Sequence, residues 1–437
     1  MSPCRVLTAL LLAGGAARAN PADVYGFGAR GAAMGGAQAA LAQDSSAGYY
    51  NPAGLARGRT LQLDFGYRAA APSFNINGAP SAVTSLSGFL LGLVIPSEVI
   101  AHHRLAFGLA LAVPQGRLFK FRSTANEVPR VLYYDNRPQR LFLAGNVAIE
   151  ILPGLHLGGG IATLSRSQGH VTLEGNVALS QPLLSSLASS VDVGLFGVRY
   201  PQAGIAWEPS ERLEFGLTYR HSFQLAIDQN FRIEGSVGDP GQKPLVEKGY
   251  FEAQTRIRDL FQPAQLTAGV AARPTGNLLV TADLTWARWS QFPEHVPLGI
   301  LIELGPLLDP LLNLPPPHSA GPPGFKDLLI PRAGAEWRVR EAQLSIDLRA
   351  GYSYEASPVP EQTGETNQAD GSKHTLSGGV GFELRGLAPV LAGALSLDLY
   401  GAFTLIPERV DHKTGSAAVL RSNGSVLQAG AMTRLRF

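Results

Sequence analysis

The stretch "AQLSIDLRAGYSYE" (residues 342–355) decides the fold. Leu344, Ile346, Leu348, Ala350, Tyr352 and Tyr354 fall on one side of it; Gln343, Ser345, Asp347, Arg349, Ser353 and Glu355 fall on the other. Side chains of an extended chain alternate between two faces, so the pattern is a strand signal. Two further stretches repeat it. In "ALSLDLYGAFTL" (394–405), Leu395, Leu397, Leu399, Phe403 and Leu405 oppose Ser396, Asp398, Tyr400 and Thr404. In "LQLDFGYR" (61–68), Leu61, Leu63, Phe65 and Tyr67 oppose Gln62, Asp64 and Arg68. Alternation over about ten to twelve residues exceeds the ~5–6 of a soluble sandwich strand and suits a tilted strand crossing hydrocarbon.

Composition points the same way. Charged residues make up 16%, against roughly 25% in soluble domains. No apolar run approaches the ~20 residues of a membrane helix. The opening "MSPCRVLTALLLAGGAARA" has Arg5, an apolar core over 6–13 and the small-x-small ending Ala17-Arg18-Ala19. It predicts a signal peptide over 1–19, cut before Asn20; the run is too short for an anchor. Cleavage removes Cys4, the one cysteine, so disulfides and thiol chemistry are excluded from the mature chain. It also removes Arg5 and Arg18 from 36 basic residues, leaving 34 against 34 acidic ones. This balance suggests no affinity for nucleic acid. An exported, charge-poor, glycine-rich chain without membrane helices is expected to be an all-β transmembrane antiparallel barrel.

Fourteen strands are predicted, at 60–70, 82–95, 103–114, 139–151, 154–176, 196–208, 212–233, 249–273, 277–289, 328–340, 342–355, 373–385, 393–406 and 425–437. The connections alternate between short turns and long loops, 386–392 being only moderately short. Outer-membrane barrels place short turns in the periplasm and long loops outside. The last strand closes on Phe437, resembling the terminal signature of bacterial outer-membrane proteins that the barrel-assembly machinery is thought to recognise.

Residues 20–59 lack this alternation. They contain "DSSAGYYNPAGLA" (44–56), in which Pro52 and Gly54 force a turn. Small residues allow close backbone approach, and Val24, Tyr25, Phe27, Met34, Tyr49, Tyr50 and Leu55 favour burial. The segment is expected to fold into the lumen as a plug, the alternative being a periplasmic tail. The barrel proper is then 60–437.

Four places resemble the FadL/TodX-type outer-membrane transporters of long-chain fatty acids and other hydrophobic compounds. They are "ARGAAMGGAQAALAQDSSAGYYNPAGL", with Asn51, Pro52, Ala53 and Gly54; "DLTWARWSQF" (283–292); "GFKDLLIPRAGAEW" (324–337) followed by "LRAGYSYEASPVPEQ"; and the terminal Phe. The resemblance implies a fourteen-stranded barrel plugged by an N-terminal hatch. It also implies capture of a hydrophobic small molecule, a fatty acid or hydrocarbon, among loops facing outer-membrane lipid and lipopolysaccharide. For the capture surface, Leu183, Leu184, Leu187 and Val191 lie on one helical face of 177–195, and 296–314 is strongly apolar. These loops can equally cap the barrel.

A fatty carboxylate in a lumenal pocket needs a cation. Arg166 shares lumenal parity with His156, and Lys326 sits in "GFKD"; both match the family's basic residues near the ligand head. Each can alternatively form a lumenal salt bridge, Lys326 with Asp327 for example. The family's third strand kinks and opens a lateral gap, and Ala112, Val113 and Pro114 occupy that place here; a plain strand end is the alternative. No nucleophile elbow, Walker loop or zinc-spaced cluster is present, so no enzyme, cofactor or metal is expected, and the expected state is a monomer. A non-transporting outer-membrane barrel acting as an adhesion or assembly scaffold is the rival reading.

Overall fold

The computed structural model describes residues 21–437 apart from 101–102, 117–127, 136–139, 179, 181, 238, 240–241, 244–245, 293–296, 305–322, 365 and 388–392. The expected leader and much of the apolar stretch 296–314 therefore lie outside the described residues.

Fourteen strands form the wall: β1 (Gln62–Ile76), β2 (Leu86–Ile100), β3 (His103–Pro114), β4 (Phe142–Leu152), β5 (Leu155–Val177), β6 (Ser186–Ser210) and β7 (Leu213–Arg220), then β8 (Gln265–Ala272), β9 (Leu278–Ala287), β10 (Leu328–Glu341), β11 (Leu344–Glu355), β12 (Lys373–Arg385), β13 (Ala394–His412) and β14 (Val419–Arg436). Each pairs antiparallel with its neighbours. The circle closes between β14 and β1, with Gln62 opposite Arg436 and Ile76 opposite Ser422. Closure leaves the wall no edge, which is the condition for a sheet to sit in lipid.

The alternation predicts which face is which, and burial confirms it in the sense a membrane requires. Phe65 and Phe403 are exposed at 55% and 45%, whereas Asp64, Asp347, Asp398 and Arg434 are buried at 4–6%. A soluble sheet would show the reverse. Lipid replaces water outside, and the polar faces meet one another across the lumen.

Two expected strands are split. The 212–233 stretch breaks at His221-Ser222 and the 249–273 stretch at Pro263-Ala264, where proline has no N–H for the ladder. The outer parts, Phe223–Val237 and Val246–Gln262, form their own antiparallel hairpin. It pairs in parallel with the upper end of β5, from Gly169 to Val177. On its other side it takes up Pro297–Leu304, so part of the expected apolar loop is a strand. The helical reading of 177–195 is also corrected. A 3₁₀ turn covers Pro182–Leu184 and β6 begins at Ser186, because β5 and β6 run on as a paired hairpin to Asn176 and Ser186. The ladder supplies the backbone hydrogen bonds a helix would have made. Leu183, Leu184 and Val191 are exposed there; the side chain of Leu187 is outside the described residues.

The N-terminal segment consists of short helices, Pro21–Tyr25, Ala29–Ala33 and Ala47–Tyr50, and a 3₁₀ helix, Pro52–Arg57. Phe27, Met34, Asn51, Ala53 and Leu55 are fully buried against the inward faces of the wall strands. Glycines on both sides make this seating possible. Gly35 (φ 65°) faces Gly351 so closely that a Cβ on Gly351 would stand 2.1 Å from the Gly35 nitrogen.

Candidate ligand cavity and its N-terminal floor

The seat begins at Asn51. Its Nδ2 donates to the carbonyls of Ala39 (2.7 Å) and Ile205 (3.0 Å), and its Oδ1 accepts from Ala53 N (3.1 Å). One amide thus joins the segment's own turn to the wall, and Pro52 opens the 3₁₀ helix after it. The wall is thinned here: a Cβ on Gly158 would lie 2.3 Å from Ala53 N, and one on Gly204 would lie 2.0 Å from Asn51 Oδ1.

Charged anchors hold the rest of the segment. Asp283 Oδ2 accepts from the backbone N–H groups of Gln38 (2.8 Å) and Ala39 (2.9 Å). The aspartate of "DLTWARWSQF" therefore holds the N-terminal segment, a role its sequence does not announce. Arg30 makes a bidentate pair with Glu336 (2.8 and 3.0 Å), the strong geometry for guanidinium and carboxylate. Arg434 joins Asp44 of the segment to Asp64 of β1. Arg220 on β7 reaches Asp23 at 2.7 Å.

Above this floor lies a cavity of about 130 Å³. Tyr25, Tyr49 and Tyr50 rise into it from the floor, and Tyr133 and Tyr134 reach it from the helix Leu132–Asp135. Tyr133 meets Trp289 edge-on at 5.1 Å. Trp289 in turn packs with Phe261 (4.9 Å), and Phe292 stacks on Phe325 (4.0 Å). The two motifs "WARWSQF" and "GFKD" thus meet in one aromatic cluster beside the cavity. For scale, an apolar cavity of ~150 Å³ accepts one benzene. The space matches a single ring or a stretch of alkyl chain.

The predicted site residues distribute unevenly. Lys326 is exposed and does not line the cavity. Phe325 is buried and Asp327 accepts from Ser290 N (2.8 Å); the alternative Lys326–Asp327 bridge is not formed among the described residues. Arg166 lies on β5 opposite Phe196; its side chain is outside the described residues. Ala112, Val113 and Pro114 end β3 in unbroken register with β2, Pro114 opposite Gly88, and β3 is paired to β4 up to Ala112. The basic groups that do line the cavity are Arg220, Arg332 and Lys373, which the sequence reading passed over. Parity marks Arg332: it follows Leu328 and Ile330 on the inward face of β10.

On the other side of the floor is a second cavity, about 390 Å³, lined by Arg30, Asp44, Glu336, Arg338, Asp347 and Arg349 among others. Arg349 there bonds Glu336, Asp347 and Asp398. This chamber is dominated by charged groups, whereas the first combines tyrosines and Trp289 with a smaller set of charges.

A closed fourteen-stranded antiparallel barrel with an outward apolar face and an inward polar one is the architecture of an outer-membrane β-barrel. The chain belongs to the family described as outer membrane protein transport protein (OMPP1/FadL/TodX), which matches residues 9–398. Its members are transporters and not enzymes, and their place is the bacterial outer membrane. A curated relative, alkane uptake protein A of Marinobacter nauticus, is 24% identical over 89% of this chain and 85% of that protein. Among solved structures, a Pseudomonas aeruginosa FadL homologue superposes with a TM-score of 0.58 at 16% identity, covering 94% of this chain and 98% of that one. The toluene transporter TbuX of Ralstonia pickettii gives 0.53 at 18% identity, covering 95% and 99%.

Proposed function

We propose that this protein carries hydrophobic small molecules, fatty acids or hydrocarbons, inward across the outer membrane, with residues 20–59 as the hatch. The observation that carries the reading is the cavity: a partly open space between the N-terminal segment and Tyr133–Tyr134, lined by tyrosines and Trp289 together with polar groups, inside a barrel whose outer face is apolar. An adhesion scaffold has no need of such a chamber. The names of the relatives, an alkane uptake protein and toluene transporters, support the substrate class. Exposed Leu183, Leu184 and Val191 at the outer hairpin supply the capture surface, since exposed apolar groups mark binding sites.

The ionic chamber below the floor opposes a straight descent. A hydrophobe passing it would separate ion pairs without replacing their hydrogen bonds. This favours release sideways through the wall over passage beside a displaced hatch, which would still meet the wall's ion pairs. For the sideways route, Val113 and Pro114 must part from Phe89 and Gly88. Pro114 lowers that barrier by donating nothing to the ladder.

The test is uptake of labelled dodecane, toluene and laurate by cells lacking their own carrier. The protein should raise uptake of at least one of them well above the empty vector. Ala402→Trp, which fills the cavity from β13, should abolish the gain while the barrel stays heat-modifiable on gels. Equal uptake with the filled cavity would contradict the reading.

A further inference from the structure

We propose that the outward rim of β6, β7 and β9 is a docking site for the phosphates of the outer leaflet's lipopolysaccharide, built from Arg199, His221 and Arg288. The sheet register places these residues. Tyr219, Leu266, Trp286 and Leu329 stand side by side on β7 to β10. All four point outward and are exposed at 37–59%. Tyrosine and tryptophan in such a row mark where hydrocarbon gives way to head groups. One outward position further on come Pro201, His221, Ala264 and Arg288. There His221 N donates to Pro201 O (3.0 Å) and Arg288 N to Ala264 O (2.9 Å). Arg199 is exposed two residues beyond Pro201, on the face of β6 that carries exposed Ile205 and Trp207. The short turns at 153–154 and 211–212 lie at the opposite end of these strands, so this rim meets the outer leaflet.

Arg199 and Arg288 are exposed and form no ion pair among the described residues. His221 lies between them in register and bonds the Tyr219 hydroxyl through Nδ1 (2.9 Å), which keeps its ring on the outer face. The acid beside Arg288, Asp327, accepts from Ser290 N (2.8 Å), and exposed Lys326 precedes it. Other parts of the rim differ. Tyr67 donates to Gln115 Oε1 (2.8 Å), Tyr352 bonds His374 Nδ1 (2.9 Å), and exposed Arg421 is paired with Glu408 (3.3 Å). Unpaired guanidinium groups above an apolar outer face complement a lipid that carries phosphate above acyl chains. From β6 to β9 there are three strand spacings, about 14 Å. Two cations so far apart suit a disaccharide lipid with two phosphates better than a phospholipid with one.

The experiment measures binding of bisphosphorylated lipid A, monophosphorylated lipid A and phosphatidylglycerol to the purified full-length barrel in neutral detergent, with inorganic phosphate as competitor. Wild type should prefer bisphosphorylated lipid A. Arg199→Ser combined with Arg288→Ser should weaken that lipid about ten- to thirtyfold and remove most of the preference. Arg421→Ser should leave it unchanged, and heat-modifiability certifies that each variant is folded. Unchanged affinity in the double variant, or an equal loss in Arg421→Ser, would overturn the inference. Equal wild-type affinity for phosphatidylglycerol would reduce the rim to a general anionic-lipid surface and overturn it too. Displacement by inorganic phosphate would show a small-anion site in place of a lipid site, with the same consequence.

Discussion

Gly158→Val combined with Gly204→Val is expected to dislodge the N-terminal segment and open the barrel to ions. The positions for the added Cβ atoms stand 2.3 Å from Ala53 N and 2.0 Å from Asn51 Oδ1, far inside contact distance. Backbone cannot yield as a flexible side-chain tip can, and overpacking costs roughly 1–3 kcal/mol per site. The barrel itself should survive. Valine suits a strand, and the wall's closed ladder does not depend on the segment. The measurement is conductance in planar bilayers together with protease cleavage of residues 21–57. The double variant should conduct and be cut, whereas wild type should do neither. A variant that stays closed and protected would show that the wall, not the segment, yields.

A second large effect is expected from Asn51→Ala. The change removes the donor for the buried carbonyl of Ala39 and for that of Ile205, and the acceptor for Ala53 N. Leaving a buried group unpaired costs about 1–3 kcal/mol, so the docked state weakens by roughly ten- to a hundredfold. Hydrophobe uptake should fall by about tenfold or more, by the proposed role of the turn in positioning the hatch. Pro52→Ala should act in the same direction with a smaller loss, since Asn51 remains. Uptake assays paired with heat-modifiability check both; undiminished uptake in both variants would remove the turn from the mechanism.

Strand number, facing and closure were legible in the sequence because period-two alternation is imposed by geometry and read directly. The strand expected over 342–355 is observed at Leu344–Glu355, and the inward acids Asp64, Asp347 and Asp398 follow from parity. The breaks at His221 and Pro263 were not legible. The outer hairpin alternates like the wall, and only the change of pairing partner separates them. The spacing of Leu183, Leu184, Leu187 and Val191 fits a helix, but Leu187 and Val191 equally share a strand face, and pairing with β5 decided the matter. The seat of the N-terminal segment depends on contacts between residues hundreds of positions apart, such as Asp283 with Gln38. Local sequence carries no trace of them. Arg332 could have been found from parity alone; the family likeness drew attention to Lys326 instead.

The central claim is that a hydrophobe occupies the chamber between the N-terminal floor and Tyr133–Tyr134 during transport. Photolabelling tests it most directly, using a diazirine-bearing hydrophobe on the purified barrel, with and without excess unlabelled competitor, and peptide mapping of the adducts. The account predicts competitor-sensitive adducts on Tyr49, Tyr50, Tyr133, Tyr134 and Trp289, all of which line the cavity. Adducts confined to outward residues such as Phe65, Leu399 and Phe403, and insensitive to competitor, would place the hydrophobe in the detergent belt and contradict it.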